Sequence, residues 1–199
     1  MINIAINGVG RIGKLILKLL ITNNLNLKYV NELNGDIHSL LHSLEFDSIH
    51  GKWLADFEAK DNDLFINGKK IKTSFHNNIE TLILKDIDIL IDCTGVNKSS
   101  KVLEKYFHAG VKKVIVSAPI DETNIANIVY GVNQFVYDPS KHRIITAASC
   151  TTNCIAPIIK VLHENIGIKH GSISTIHNLT NSQTLVDIPH VNLRRGRSA

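Results

Sequence analysis

The stretch INIAINGVGRIG, Ile2 to Gly13, limits the fold of this chain more than any other. A short apolar run that reads as a buried strand leads into Gly8, Gly10 and Gly13, the pattern G-x-G-x-x-G. KLILKLLIT then places apolar residues on one helical face. Strand, glycine turn and helix in that order open a βαβ unit able to bind a dinucleotide. Gly8 permits the tight turn, Gly10 leaves room for a pyrophosphate, and Gly13 lets the helix approach the strand. The phosphates would meet the N–H groups and positive dipole end of the helix. An acid at the end of the second strand holds ribose hydroxyls in such units, and Glu32, about 20 residues past Gly13, suits that role. Its carboxylate repels the extra phosphate of NADP, so the pattern favours NAD. The competing reading is that the glycines only tighten a turn and Glu32 is a surface residue.

The remaining pattern extends that unit. KYVNEL (Lys28–Leu33) reads as a second strand and DIHSLLHSLEF as a second helix. From Gly51 to Phe75 apolar and polar residues alternate around Asn67-Gly68, a hairpin turn signal, so this part is expected to be an antiparallel excursion. Strands of the parallel type resume at IDILIDC (Ile87–Cys93), KVIVSA (Lys113–Ala118), NIVYGV (Asn127–Val132) and RIITAA (Arg143–Ala148). A helix ending near Gly110 fits between the first two, and another, TTNCIAPIIKVLHENIG, ends near Gly167. SISTIHNL reads as one more strand, and the chain from Thr180 to Ala199 reads as a long loop. The expected class is α/β, a doubly wound parallel sheet of the Rossmann type. Residues 1–149 would form the NAD-binding domain and 150–199 the beginning of a second, α+β catalytic domain.

Other classes fit poorly. Hydrophobic residues at 44% and charged ones at 20% describe an ordinary soluble domain, and a net charge of +4 selects no partner. No apolar run reaches the roughly 20 residues of a membrane helix, and no signal-peptide pattern opens the chain. A cytoplasmic location without a membrane partner is expected. Three cysteines, Cys93, Cys150 and Cys154, do not make a disulfide framework. Arg194, Arg195 and Arg197 near the end lack the aromatic partners of a nucleic-acid site, so no nucleic acid is expected.

The chemistry concentrates in AASCTTNC, Ala147 to Cys154. Cys150 follows a strand and precedes a helix, where helix N–H groups and the dipole favour thiolate over thiol. Cys154, one turn further and followed by IAPII, reads as a buried filler. A zinc site built from Cys150, Cys154 and His177 would lack a second close pair of ligands, so no metal is expected. The redox reading wants C-x-x-C rather than C-x-x-x-C. A nucleophile needs a base, and His177, among Thr175, Thr180 and Ser182, is the candidate; His38, His42, His50 and His163 read as solvated.

NGVGRIG, DCTGV, KKVIVSAP, YGVNQ, ASCTTNC and STIH with the loop to LRRGR resemble, in order, the phosphorylating glyceraldehyde-3-phosphate dehydrogenase family. The resemblance implies that Cys150 attacks an aldehyde, hydride passes to NAD, and phosphate releases the acyl group as an acyl phosphate. It implies His177 as the acid–base partner. It places Ser149 and Thr151 against the attacking phosphate, and Thr180, Ser182 and Arg195 against the substrate phosphate. Arg11 and Ile12 would line the cofactor's phosphate loop, Thr94 and Gly95 the adenosine side of the groove, and Ser117 the strand end beside the dinucleotide. The implied partners are an aldehyde phosphate, inorganic phosphate or arsenate, and further copies of the chain in a tetramer.

Some residues depart from the pattern. Val9 stands where the family usually has phenylalanine, Glu32 where aspartate is commoner, and no arginine lies near His76 to face the adenine. Asn31-Glu32-Leu33 resembles erythrose-4-phosphate dehydrogenases, whereas FDSIHGKW, KHGSISTIHNLTNSQT and DIPHVNLRR resemble the arsenic-resistance-associated branch. Members of the family continue well beyond RRGRSA, so a fragment is expected. A dinucleotide-binding module without turnover is therefore the alternative.

Overall fold

β1 (Asn3–Asn7) owes its central place to Ile4, Ala5 and Ile6, apolar on both faces and all buried in the computed structural model, which describes residues 1–180 and 191–193. After it come α1 (Arg11–Thr22), β2 (Asn26–Asn31), α2 (Ile37–Glu45), and the short pair β3 (Phe46–Asp47) and β4 (Gly51–Lys52). β5 (Phe57–Lys60), β6 (Asp63–Ile66) and β7 (Lys69–Ser74) form an antiparallel meander, with the β6–β7 turn at Asn67-Gly68 (φ +50° and +76°). β8 (Ile89–Asp92), α3 (Ser100–His108), β9 (Lys113–Val116), β10 (Ala126–Asn127), β11 (Ile144–Thr146) and α4 (Cys150–Asn165) complete the regular structure.

The main sheet runs β10-β11-β9-β8-β1-β2-β7-β6-β5, parallel from β10 through β7. Around β1 the parallel strands follow the doubly wound order, with the reversal between β1 and β8. That reversal opens a crevice at the carboxyl ends of β1 and β8, where Gly8 and Thr94 lie. One apolar layer, with Leu17, Leu20, Ile21, Leu40, Leu44 and Leu64, packs on one face; a second, with Leu84, Leu103, Tyr106, Val114 and Ile120, packs on the other. The helices cover the sheet with their apolar stripes. α2 is held at its start by a reciprocal cap in which Asp36 accepts from Ser39 N–H while the Ser39 hydroxyl accepts from Asp36 N–H.

The chain divides into two compact units, Met1–Val161 and Leu162–Ala199. In the second, α4 ends at Asn165 and is closed off by Gly167 (φ +80°), whose N–H reaches the Leu162 and His163 carbonyls. Residues 168–180 are irregular and exposed, and 191–193 form a bend and turn.

Two expected strands differ. Of NIVYGV only Asn127 is strand, as the second residue of β10, because Val129 N–H turns to Asn133 Oδ1 (2.7 Å) and Gly131 N–H to Gln134 Oε1 (2.8 Å) around a left-handed Gly131. SISTIHNL is not a strand. Its residues are exposed, and no strand among the described residues pairs with it.

Candidate functional site

The glycine loop begins where β1 ends. Gly8 has φ +90°, and its N–H bonds the Asn31 carbonyl (2.8 Å) at the end of β2. A Cβ on Gly8 would lie 2.8 Å from Thr94 N and 2.9 Å from Cys93 C, so loop and β8 approach too closely for any side chain. A Cβ on Gly13 would lie 2.0 Å from the Gly8 carbonyl oxygen. Gly10 differs, since nothing lies within 4 Å of where its Cβ would be. It is also the residue before α1, a helix with no side-chain cap and no acid in its first turn. Space and helix amides with no acid in their own first turn together fit a pyrophosphate.

Glu32 stands just past β2. Its carboxylate accepts from Val9 N–H (2.6 Å) in the glycine loop and from Leu33 and Asn34 N–H (2.9 and 3.2 Å). It was expected to hold ribose hydroxyls; in the structure its carboxylate bonds backbone N–H groups of the glycine loop and of its own turn. Arg11 and Ile12, the first two residues of α1, are exposed, and Gly95 (φ +72°) faces open space. The Thr94 hydroxyl donates to Asp92 Oδ1 (2.7 Å), with Thr94 N–H on the same oxygen (2.9 Å). Ser117 bonds the Asp92 carbonyl through its N–H (2.9 Å) and the Cys93 thiol through its side chain. Burial pushes that thiol up to about 11, with the Asp92 charge adding to the effect and Ser117 opposing it. Cys93 is therefore held as neutral thiol.

Sequence reasoning missed Asp92 itself. It is fully buried and makes no ion pair among the described residues; Asn97 Nδ2 (2.7 Å) and the Tyr106 hydroxyl (2.8 Å) donate to its second oxygen, so four neutral donors meet the carboxyl group. The line continues through Asn7 Nδ2 to the Tyr106 oxygen (2.6 Å) and Asn31 Nδ2 to Asn7 Oδ1 (2.8 Å). Burial, and then the Asp92 charge, raise the tyrosine's pKa. Asparagines at the ends of otherwise apolar strands were the only signal in the sequence.

The cysteine stretch forms a sharp strand-to-helix turn. Ala148, buried, has φ +54°, a conformation that costs an alanine about 1–2 kcal/mol. Ser149 caps α4: its Oγ accepts from Thr152 N–H (3.0 Å) and shares a hydrogen bond with the Thr152 hydroxyl (2.7 Å). Cys150 is the first residue of α4 and exposed; Thr151 follows, half-buried. A cavity of about 330 Å³ borders this turn, lined by Pro119, Ile120, Asn127, Ala148, Ser149 and Thr152 among others. Cys154 is exposed rather than buried, because α4 buries none of its residues. His38, His42, His50 and His163 are exposed, as expected.

Gly8, Gly13, Glu32, Thr94 and Ser117 are thus gathered around the ends of β1, β2, β8 and β9, and Ser149, Cys150 and Thr151 follow the end of β11 in the same unit. His177 and Thr180 belong to the second unit and are exposed. His177 Nδ1 lies 2.5 Å from the Asn178 carbonyl oxygen. A carbonyl only accepts, so Nδ1 is the donor in this contact. Ser182 and Arg195 lie outside the described residues. Among the described residues no helix is long and apolar enough to cross a membrane.

Comparison with known proteins adds the following. Residues 2–100 match the family model for the NAD binding domain of glyceraldehyde 3-phosphate dehydrogenase, and residues 149–199 match the model for its C-terminal domain. The chain is 44% identical to glyceraldehyde-3-phosphate dehydrogenase 3 of Nostoc sp., over 99% of this chain and 59% of that protein. It is 42% identical to the glyceraldehyde-3-phosphate dehydrogenase of Geobacillus stearothermophilus, over 100% of this chain and 59% of that one. The Thermotoga maritima enzyme of the same name is 41% identical, over 100% and 60%. The chain spans about three fifths of the length of these curated relatives.

Proposed function

The chain belongs to the glyceraldehyde-3-phosphate dehydrogenase family, and from that premise we propose that the protein works as an NAD-dependent, phosphorylating aldehyde dehydrogenase on glyceraldehyde 3-phosphate. The observation that carries the reading is the place of Cys150: exposed, first in α4, directly after a strand of the sheet whose β1–β8 crevice holds the glycine loop. Residues 1–149 serve as the nucleotide domain and 150–199 begin the catalytic one.

NAD, when bound, supplies the hydride acceptor. Gly8 and Gly13 shape the loop, Gly10, Arg11 and Ile12 face the pyrophosphate, and Glu32 takes the ribose hydroxyls. Thr94, Gly95 and Ser117 line the groove. The Cys150 thiolate, favoured by the start of α4 and paired with the His177 imidazolium that has taken the thiol proton, adds to the aldehyde carbon while that proton passes to the carbonyl oxygen, giving a thiohemiacetal. His177 Nε2 accepts the hydroxyl proton as hydride departs, leaving a thioester. Phosphate, held by Ser149 and Thr151, attacks that carbonyl; the C–S bond breaks and the thiolate returns. Arsenate could replace phosphate in the same step. Thr180, Ser182 and Arg195 hold the substrate's own phosphate. Further copies of the chain and a cytoplasmic setting belong to the same proposal.

A second reading is a dinucleotide-binding module without turnover, for which the glycine loop and the strand ends around it suffice. One experiment separates them. NADH formation from glyceraldehyde 3-phosphate, NAD and phosphate is expected, together with alkylation of Cys150 by iodoacetamide much faster than of Cys93 or Cys154. NAD binding without turnover would support the module, and equal labelling of the three thiols would remove Cys150 as the nucleophile.

A further inference from the structure

The left-handed turn before the cysteine helix has supports that lie in neither sequence motif. We propose that Thr146 and Asn127 are positioning residues for Cys150, holding Ala148 in the conformation that lets α4 begin with the cysteine exposed at its first position. This rests on the reading of Cys150 as nucleophile.

Ala148 at φ +54° is a buried residue in a region alanine avoids, and such a residue persists only where its surroundings over-determine it. The determinant is a two-step chain. The Thr146 hydroxyl oxygen accepts from Ala148 N–H (3.0 Å), and the same hydroxyl donates to Asn127 Oδ1 (2.5 Å). With its proton committed to Asn127, the hydroxyl presents a lone pair toward residue 148. Thr146 is 1% exposed, so water is a poor substitute. Asn127 is itself fixed. Its amide donates to the Ile120 carbonyl (2.8 Å) and its Oδ1 accepts from Ile120 N–H (3.2 Å), imitating a strand partner. Asn127 and Thr146 also face each other across the β10–β11 ladder. From the helix side, Asn153 Nδ2 bridges the Ala147 and Ser149 carbonyls (2.7 and 2.9 Å) and closes the turn. Loss of the hydroxyl would let residue 148 relax toward right-handed or extended backbone, turning the next residues and redirecting the Cys150 Cα–Cβ bond.

A glycine at 148 needs no such support, which supplies the test. The rate of iodoacetamide alkylation at Cys150 is measured in the native protein by peptide mapping, with Cys93 as the internal reporter of an intact fold. Thr146→Val, close to isosteric, is expected to slow Cys150 by about tenfold, the equivalent of one buried hydrogen bond. Thr146→Ser should keep the wild-type rate. Ala148→Gly in the Thr146→Val background should restore the rate to within about threefold of wild type, which a general loss of stability would not do. An unchanged rate in Thr146→Val, with Cys93 still slow, overturns the proposal but leaves Cys150 as nucleophile. Equal labelling of all three thiols in the wild type would instead sink the nucleophile reading. Should Thr146→Val alone unfold, seen as fast Cys93 labelling, the comparison moves to the Ala148→Gly background. A drop of about tenfold on adding Thr146→Val there would mean that the hydroxyl acts other than through residue 148, and would overturn the proposal.

Discussion

The glycine-loop region and the helix that starts at Cys150 differ in how much of their structure is settled by neighbours among the described residues. Around Gly8 and Gly13, apolar side chains such as Ile6 and Leu17 are fully buried, close backbone approaches exclude any Cβ, and the Asp92–Tyr106–Asn7–Asn31 line satisfies the polar groups beneath. α4 is fixed at its first turn by Ser149 and Asn153, but it buries no residue, and Ile158 is 55% and Val161 60% exposed. The difference teaches that, among the described residues, the sheet around the glycine loop is packed on both faces, whereas α4 is held chiefly at its first turn, where Cys150 stands. A helix whose tertiary packing is thin leans more on its caps and propensity, and beyond its first turn α4 adds the Lys160 Nζ bond to the Gly131 carbonyl (2.9 Å).

That contrast can be broken by mutation. Leu17→Ala, in the buried face of α1, is expected to cost about 2–5 kcal/mol in chemical denaturation, while Ile158→Ala on α4 should change stability by under about 0.5 kcal/mol. Equal costs would mean that α4 is covered in solution and the contrast false.

The glycine loop contains a sharper version of the same test. Gly13→Ala, with a Cβ 2.0 Å from a backbone oxygen, is expected to destabilise the fold by about 3 kcal/mol, at the top of the usual overpacking range. Gly10→Ala meets nothing within 4 Å, so the melting temperature should hold while NAD affinity, by titration calorimetry, falls about tenfold. A stable Gly13→Ala, or a Gly10→Ala that binds NAD normally, would remove the division of labour between them.

The smallest effect concerns pH. Hydrogen bonds and charge from Lys112, with Asn3 N–H, hold Asp88 below the ordinary 3.8, and Lys14 with the His50 and Ile49 N–H groups does the same for Asp47. A carboxylate depressed in the folded state contributes stability that is full above its unfolded value and fades as pH falls through the folded one. The melting temperature is therefore expected to be flat above about pH 5 and to decline below about pH 4. Asp88→Asn should flatten that decline slightly. A decline on the alkaline side of neutrality instead would contradict the assignment.

Much of the nucleotide half was legible because its signals are local. The period of KLILKLLIT, the Asn67-Gly68 turn and the glycine spacing each dictate backbone over a few residues, and their elements appear with ends displaced by only a few positions. NIVYGV misled because β-branched composition says nothing of the Asn133 and Gln134 side chains that curl it into turns. SISTIHNL misled because a strand exists only where another pairs with it. Cys154 looked buried from the apolar run beside it, yet burial is decided by what packs on that run.

The amino-acid order alone settled the strand–glycine–helix opening, the α/β class and the strand-to-helix junction at the ASCTTNC stretch, because each depends on torsion preferences and on residues within one or two turns. Only the folded chain decided that Glu32 grips the loop at Val9, that Asp92 is buried among neutral donors, and that Thr146 and Asn127 stand behind Ala148. These pairings join residues from 2 to 23 positions apart, and the long ones among them exist only once parallel strands have brought their carboxyl ends side by side.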